Sequence, residues 1–85
     1  MKTFTYTIAD PEGIHARPAG LLAKEVAKYK SAVKVAGNGK EADPKRLIAL
    51  MGMGIKKGME VTFSIEGDDE EEAAANLEKF MQENL

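Results

Sequence analysis

Thr3-Phe4-Thr5-Tyr6-Thr7-Ile8 places an apolar side chain at every second residue, and from Ala16 that period gives way to Ala19, Leu22, Val26 and Tyr29, spaced three and four apart. Alternate side chains of a strand point to opposite faces, so the first stretch predicts a strand with one buried face, reinforced by its β-branched and aromatic residues. The second predicts a helix of about three to four turns that begins just after His15. Lys24, Lys28 and Lys30 turn away from its apolar stripe. Asp10-Pro11-Glu12-Gly13 separates the two periods and ends the strand.

Further along, Val33 and Val35 flank Lys34 and lead into Gly37-Asn38-Gly39. Asn-Gly supplies the positive backbone angles of a tight turn, which predicts a hairpin of two short strands around residue 38. Asp43-Pro44 reads as a helix start, since Asp can cap free N–H groups and Pro is tolerated at the first helical position. That helix is short, because Gly52 and Gly54 follow Leu47-Ile48-Ala49-Leu50-Met51. Lys56-Lys57-Gly58 is a turn, and Val61, Phe63 and Ile65 then alternate with Thr62, Ser64 and Glu66 as another strand. Beyond Gly67-Asp68, Glu70, Glu71 and Glu72 fall in the first turn of a last helix, where negative charge complements the positive helix end. Ala73, Leu77, Phe80 and Met81 form its apolar stripe.

The predicted order is β-α-β-β-α-β-α. Cleanly alternating strands have one wet face, which points to an α+β, two-layer domain: a four-stranded antiparallel sheet with three helices on one face. With 85 residues the chain builds one core, so residues 1–85 are expected to form one domain.

Composition narrows the function. Hydrophobic residues at 44% and charged residues at 31% are the balance of a globular chain, and a net charge of −2 with scattered Lys and Arg argues against a nucleic-acid binder. A ferredoxin-like nucleic-acid binder would also need paired aromatics on adjacent strands for base stacking; Tyr6 and Phe63 are more simply core. The absence of cysteine excludes disulfide scaffolds, thiolate zinc sites and cysteine nucleophiles. No segment reads as a signal peptide or a membrane span, so no membrane insertion and a cytoplasmic location are expected.

The only histidine, His15, lies between a turn glycine and the first residues of a helix. Backbone N–H groups there have no intrahelical partner and the peptide dipoles favour negative charge, so an anion at His15 can be held without any special side chain. A positive helix end disfavours imidazolium, and the neutral ring has the lone pair a nucleophile needs. Arg17 can offer a planar fork of donors to phosphate oxygens. Pro18 breaks no hydrogen bond in a first turn, and Gly13 lets the backbone turn tightly. With no second His or Cys, no metal site is expected, and no cofactor.

Gly13-Ile14-His15-Ala16-Arg17-Pro18-Ala19 closely resembles the active-site signature of HPr, the histidine-containing phosphocarrier family of the phosphoenolpyruvate-dependent sugar phosphotransferase system. The likeness runs through the Gly-Asn-Gly-Lys hairpin, the Leu-rich short helix before Gly54-Ile55 and the Glu66-Gly67-Asp68 approach to the last helix. It implies an open-faced β-sandwich, and a carrier with a transient phosphohistidine rather than a stand-alone enzyme. It further implies that enzyme I phosphorylates His15 on the ring nitrogen nearer the backbone, that Arg17 steadies the phosphate with help from the backbone amides of Ala16 and Arg17, and that IIA components of sugar permeases receive it. A monomer is expected.

Such a carrier meets its partners around the histidine. Arg17, Gly20, Lys24 and Ala27 or Lys28 share one helix face continuous with the site. The short helix has more apolar residues than one core can take, and the resemblance makes Leu47, Ile48 and Met51 partner contacts; Leu50 and Met53 go to the core by the one-stripe rule. Two positions depart from the family. Arg46 stands where many Gram-positive members have a regulatory serine, so phosphorylation by HPr kinase is not expected there. Glu12 replaces a small polar residue beside the histidine, and its carboxylate is expected to repel the phosphoryl group and shorten its lifetime unless it rotates into water. The alternative reading is an HPr-like regulatory docking module or a paralogue in a nitrogen- or metabolism-regulating branch; modules that only dock often lack the histidine.

Overall fold

A computed structural model describes all residues, 1–85. The elements follow the predicted order: β1 (Lys2–Thr7), α1 (Ala16–Val26), β2 (Ala32–Gly37), β3 (Lys40–Ala42), α2 (Leu47–Met51), β4 (Glu60–Glu66) and α3 (Glu70–Asn84). The four strands form one antiparallel sheet in the order β1-β4-β2-β3. β4 therefore lies between β1 and β2, and its alternation is the cleanest in the chain: Val61, Phe63 and Ile65 are buried, while Thr62 and Ser64 reach the other face.

Pairing brings Phe4 opposite Phe63, with the rings stacked at 4.7 Å between centroids and 6° between planes. On the open face Thr5 and Thr62 are also opposite each other, their hydroxyls 3.3 Å apart. The covered face carries Val33, Val35, Val61, Phe63 and Ile65, on which the helices lay Ala19, Leu22, Val26, Leu50, Ala73, Leu77 and Met81, all in one buried cluster. Each fully buried large side chain contributes about 1.5–3 kcal/mol of transfer free energy. α3 packs on β1 and β4, and α1 packs on α2 and α3. The open-faced sandwich expected from the resemblance is the observed architecture.

The hairpin turn is as read: Asn38 and Gly39 have φ of 53° and 74°. The Asn38 side-chain amide also donates to the Met53 carbonyl at 2.9 Å, fastening the hairpin to the chain after α2.

Asp43-Pro44 does not start a helix. The Asp43 carboxylate accepts the Lys45 N–H at 2.9 Å and its carbonyl accepts the Arg46 N–H at 2.9 Å, which closes a separate turn over the buried Pro44. Arg46 then takes an extended conformation (φ −100°, ψ 101°), and α2 begins only at Leu47. Capping chemistry was present at Asp43, but it was spent on a turn one step earlier.

The acidic run does occupy the first turn of α3, with Glu70 reaching back to the Gly67 N–H at 3.3 Å. Asp69, the residue before that helix, makes no cap with its side chain. Its carboxylate instead accepts the Lys30 N–H at 2.8 Å, the Ser31 N–H at 2.9 Å and the Ser31 hydroxyl.

Candidate functional site

The segment leading to His15 is fixed at both ends before the helix begins. The Leu85 carbonyl accepts the N–H groups of Ala9 and Asp10 at 2.7 and 2.8 Å. The Asp10 carboxylate accepts the Glu12 N–H at 2.8 Å, and the Asp10 carbonyl accepts the Gly13 N–H at 2.9 Å. Gly13 has φ +70° and lies so close to Ile55 that a Cβ would run into its carbonyl oxygen. That same oxygen accepts the Ile14 N–H at 3.1 Å, and the Ile14 side chain is buried. The ring of His15 thus stands on backbone that little can displace.

His15 is the residue immediately before α1, with extended backbone (φ −114°, ψ −177°) and no side-chain capping bond. Its carbonyl accepts the Ala19 N–H at 3.0 Å. The N–H groups of Ala16 and Arg17 precede the first possible intrahelical donor, and Pro18 has none to offer. Pro18 and Ala19 are buried, whereas Ala16 and Arg17 are exposed, so the first turn turns its free donors to solvent beside the ring.

The imidazole is 36% exposed and bracketed by two carboxylates: Asp10 Oδ2 lies 3.6 Å from Nε2, and Glu12 Oε2 lies 3.4 Å from Nδ1. The Glu12 carboxylate thus stands at Nδ1 while its side chain remains 72% exposed to water. His15, Arg17, Pro18 and Leu21 line one side of an open hollow of about 290 Å³, closed on the other by Asp10 and by Glu83 and Asn84 at the end of α3. Arg17 is its one permanent cation.

The residues expected at a partner surface are on the outside of the helices. Lys24 and Ala27 are exposed and Gly20 is half-buried on α1. On α2, which packs against α1, Ile48 is 82% exposed and Leu47 and Met51 are also exposed, while Leu50 and Met53 are buried. Sequence reasoning missed Leu21, Asp10, Glu83 and Asn84. Leu21 had a signal: it is apolar, four residues after Arg17 and off the Ala19-Leu22-Val26 stripe. Glu83 and Asn84 had none, because only the packing of α3 brings them to α1.

Comparison with known proteins agrees with this geometry. The model of the family described as the PTS HPr component phosphorylation site matches residues 2–83. A phosphocarrier protein HPr of Mycoplasma genitalium is 46% identical over 85 residues, spanning 99% of this chain and 97% of its own. A solved histidine-containing phosphocarrier protein of Mycoplasma superposes with a TM-score of 0.93 at 35% identity, over 96% of this chain and 93% of its own. Crh, a catabolite-repression protein of Bacillus subtilis solved as a domain-swapped dimer, does so with a TM-score of 0.77 at 32% identity, over 94% and 92%. Fold and family match together define a phosphocarrier of the phosphotransferase system. The chain belongs to the HPr family.

Proposed function

We propose that His15 accepts a phosphoryl group from phosphorylated enzyme I, charged in turn by phosphoenolpyruvate, and passes it to IIA components of sugar permeases. The observation that carries this reading is the placement of the ring: it is open to solvent at the start of α1, beside the free N–H groups of Ala16 and Arg17 and the Arg17 guanidinium. Oriented amides and a helix end stabilise a phosphoryl anion without reorganisation, and the guanidinium adds charge-assisted donors. Nothing in the reaction calls for a metal or a cofactor on this chain.

In this reading donor and acceptors dock on one face. Gly20, Lys24 and Ala27 of α1 and Leu47, Ile48 and Met51 of the adjacent α2 make up that face, and exposed Leu and Met side chains adapt to several partners. The chain works as a cytoplasmic, monomeric, single-domain carrier that binds no nucleic acid and does not insert into the membrane. No helix is long and apolar enough to cross a membrane.

The test is to incubate the protein with phosphoenolpyruvate and enzyme I and follow its mass. One added phosphoryl group, lost in acid and absent from His15→Ala, is the expected result. A group that survives acid, or that His15→Ala still acquires, would overturn the reading.

A further inference from the structure

The two carboxylates at the ring are not equivalent. Asp10 is held at three points: its N–H donates to Leu85, its carbonyl accepts from Gly13, and Oδ1 accepts from the Glu12 N–H. Its side chain is 24% exposed, and the oxygen left over, Oδ2, faces His15 Nε2. The Glu12 side chain is 72% exposed and makes no hydrogen bond; its contact with Nδ1 is its only polar one. One carboxylate is part of the scaffold and the other is free to leave.

Building on the carrier reading, we propose that Asp10 is a positioning residue that keeps the ring proton on Nε2, leaving the Nδ1 lone pair for phosphorus, while Glu12 swings off Nδ1 as the phosphoryl group arrives. At 3.6 Å the Asp10 contact is longer than a hydrogen bond and acts as a fixed charge. A neutral imidazole has one N–H; Glu12 at Nδ1 draws it toward that nitrogen, but its carboxylate is 72% exposed, unanchored and screened by water, so the held Asp10 carboxylate at Nε2 decides the tautomer.

The attack then needs no proton transfer. The Nδ1 lone pair forms the new N–P bond, the bond from phosphorus to the donor breaks, and its electron pair leaves with the donor. The ring retains its Nε2–H and gains positive charge, which Asp10 faces. Return of the group to an acceptor reverses each change, so the same carboxylate serves both directions.

Asp10→Asn tests this. Its carbonyl oxygen can still accept the Glu12 N–H, but its NH₂ then faces Nε2 and favours a lone pair there. In ¹⁵N spectra of the unphosphorylated protein, measured where the ring is neutral, the native chain should populate mainly the Nε2–H tautomer and Asp10→Asn mainly the Nδ1–H tautomer. With enzyme I and phosphoenolpyruvate, kcat should fall about sevenfold, the factor a unit-charge contact of this length supports at high dielectric, with KM little changed. Asp10→Ser, which retains an acceptor for the turn without the charge, should give a mixture of tautomers and decides the matter should Asp10→Asn fail to fold.

An unchanged tautomer ratio overturns the proposal, as does a lost rate with the ratio unmoved, which would make Asp10 only a loop anchor. The tautomer readout needs no phosphorylation. Failure of the native chain to be phosphorylated at His15 would instead refute the carrier reading.

Discussion

His15 needs two things that pull against each other: backbone held still beneath the ring, and open space above it. Gly13 and Ile14 supply the first through the Ile55 carbonyl, and the exposed first turn of α1 supplies the second. Glu12 intrudes on that space. With its carboxylate 3.4 Å from Nδ1, a phosphoryl group on that nitrogen meets a like charge, which costs about 1 kcal/mol per unit charge at 4 Å in water and is reduced as the side chain rotates away. Glu12→Ser should therefore lengthen the life of the phosphohistidine severalfold, measured as the rate at which purified phosphoprotein loses its group. An unchanged rate would mean that rotation relieves all of the repulsion. The sequence exposed this conflict because a carboxylate beside a lone histidine is visible as a string. Asp10 was not visible in the same way: its importance depends on Leu85, which meets it only in the folded chain.

At the scale of elements, period was the dependable signal, whereas capping chemistry held at the acidic first turn of α3 and failed at Asp43. β4 and α1 were legible because burial repeats along them with their own periods, and Asn38-Gly39 because no other common pair fits two successive positive φ angles so readily. Asp43-Pro44 misled because the same residues that begin helices also begin turns, and the choice was made by Arg46, whose extended backbone no local rule foretold. α2 is where core and docking surface are divided within five residues. Leu50 is fully buried and Ile48 is 82% exposed. Leu50→Ala should cost about 2–5 kcal/mol in chemical denaturation, whereas Ile48→Ala should stay within about 0.5 kcal/mol and weaken binding to enzyme I. Equal stability losses for the two would contradict the division, as would undiminished binding by Ile48→Ala.

In the whole molecule, Asp69 closes a long loop: it joins the start of α3 to Lys30 and Ser31 at the start of β2. The Ser31 hydroxyl and then the Lys30 and Ser31 N–H groups all donate to the charged carboxylate and hold its pKa below the usual value. A carboxyl depressed in the folded state stabilises the fold above its unfolded pKa, and that stability is lost as pH falls through the folded one. Thermal midpoints should accordingly drop as pH goes from about 4 downward, and Asp69→Asn should lower the midpoint at neutral pH while flattening that acid dependence. A variant with an unaltered acid slope would show that other groups, and not the Asp69 carboxyl, set the acid dependence.

Closure of the chain also brings Asp10 and the end of α3 beside α1, so the reactive ring is a product of the complete fold even though its signature is seven residues long. The claim that this ring carries the phosphoryl group through Nδ1 is tested most directly by the scalar coupling between phosphorus and nitrogen in the ¹⁵N-labelled, phosphorylated protein. The coupling should appear on Nδ1 of His15, with a proton retained on Nε2. Coupling to Nε2, or phosphorus bound only to oxygen, would contradict the account.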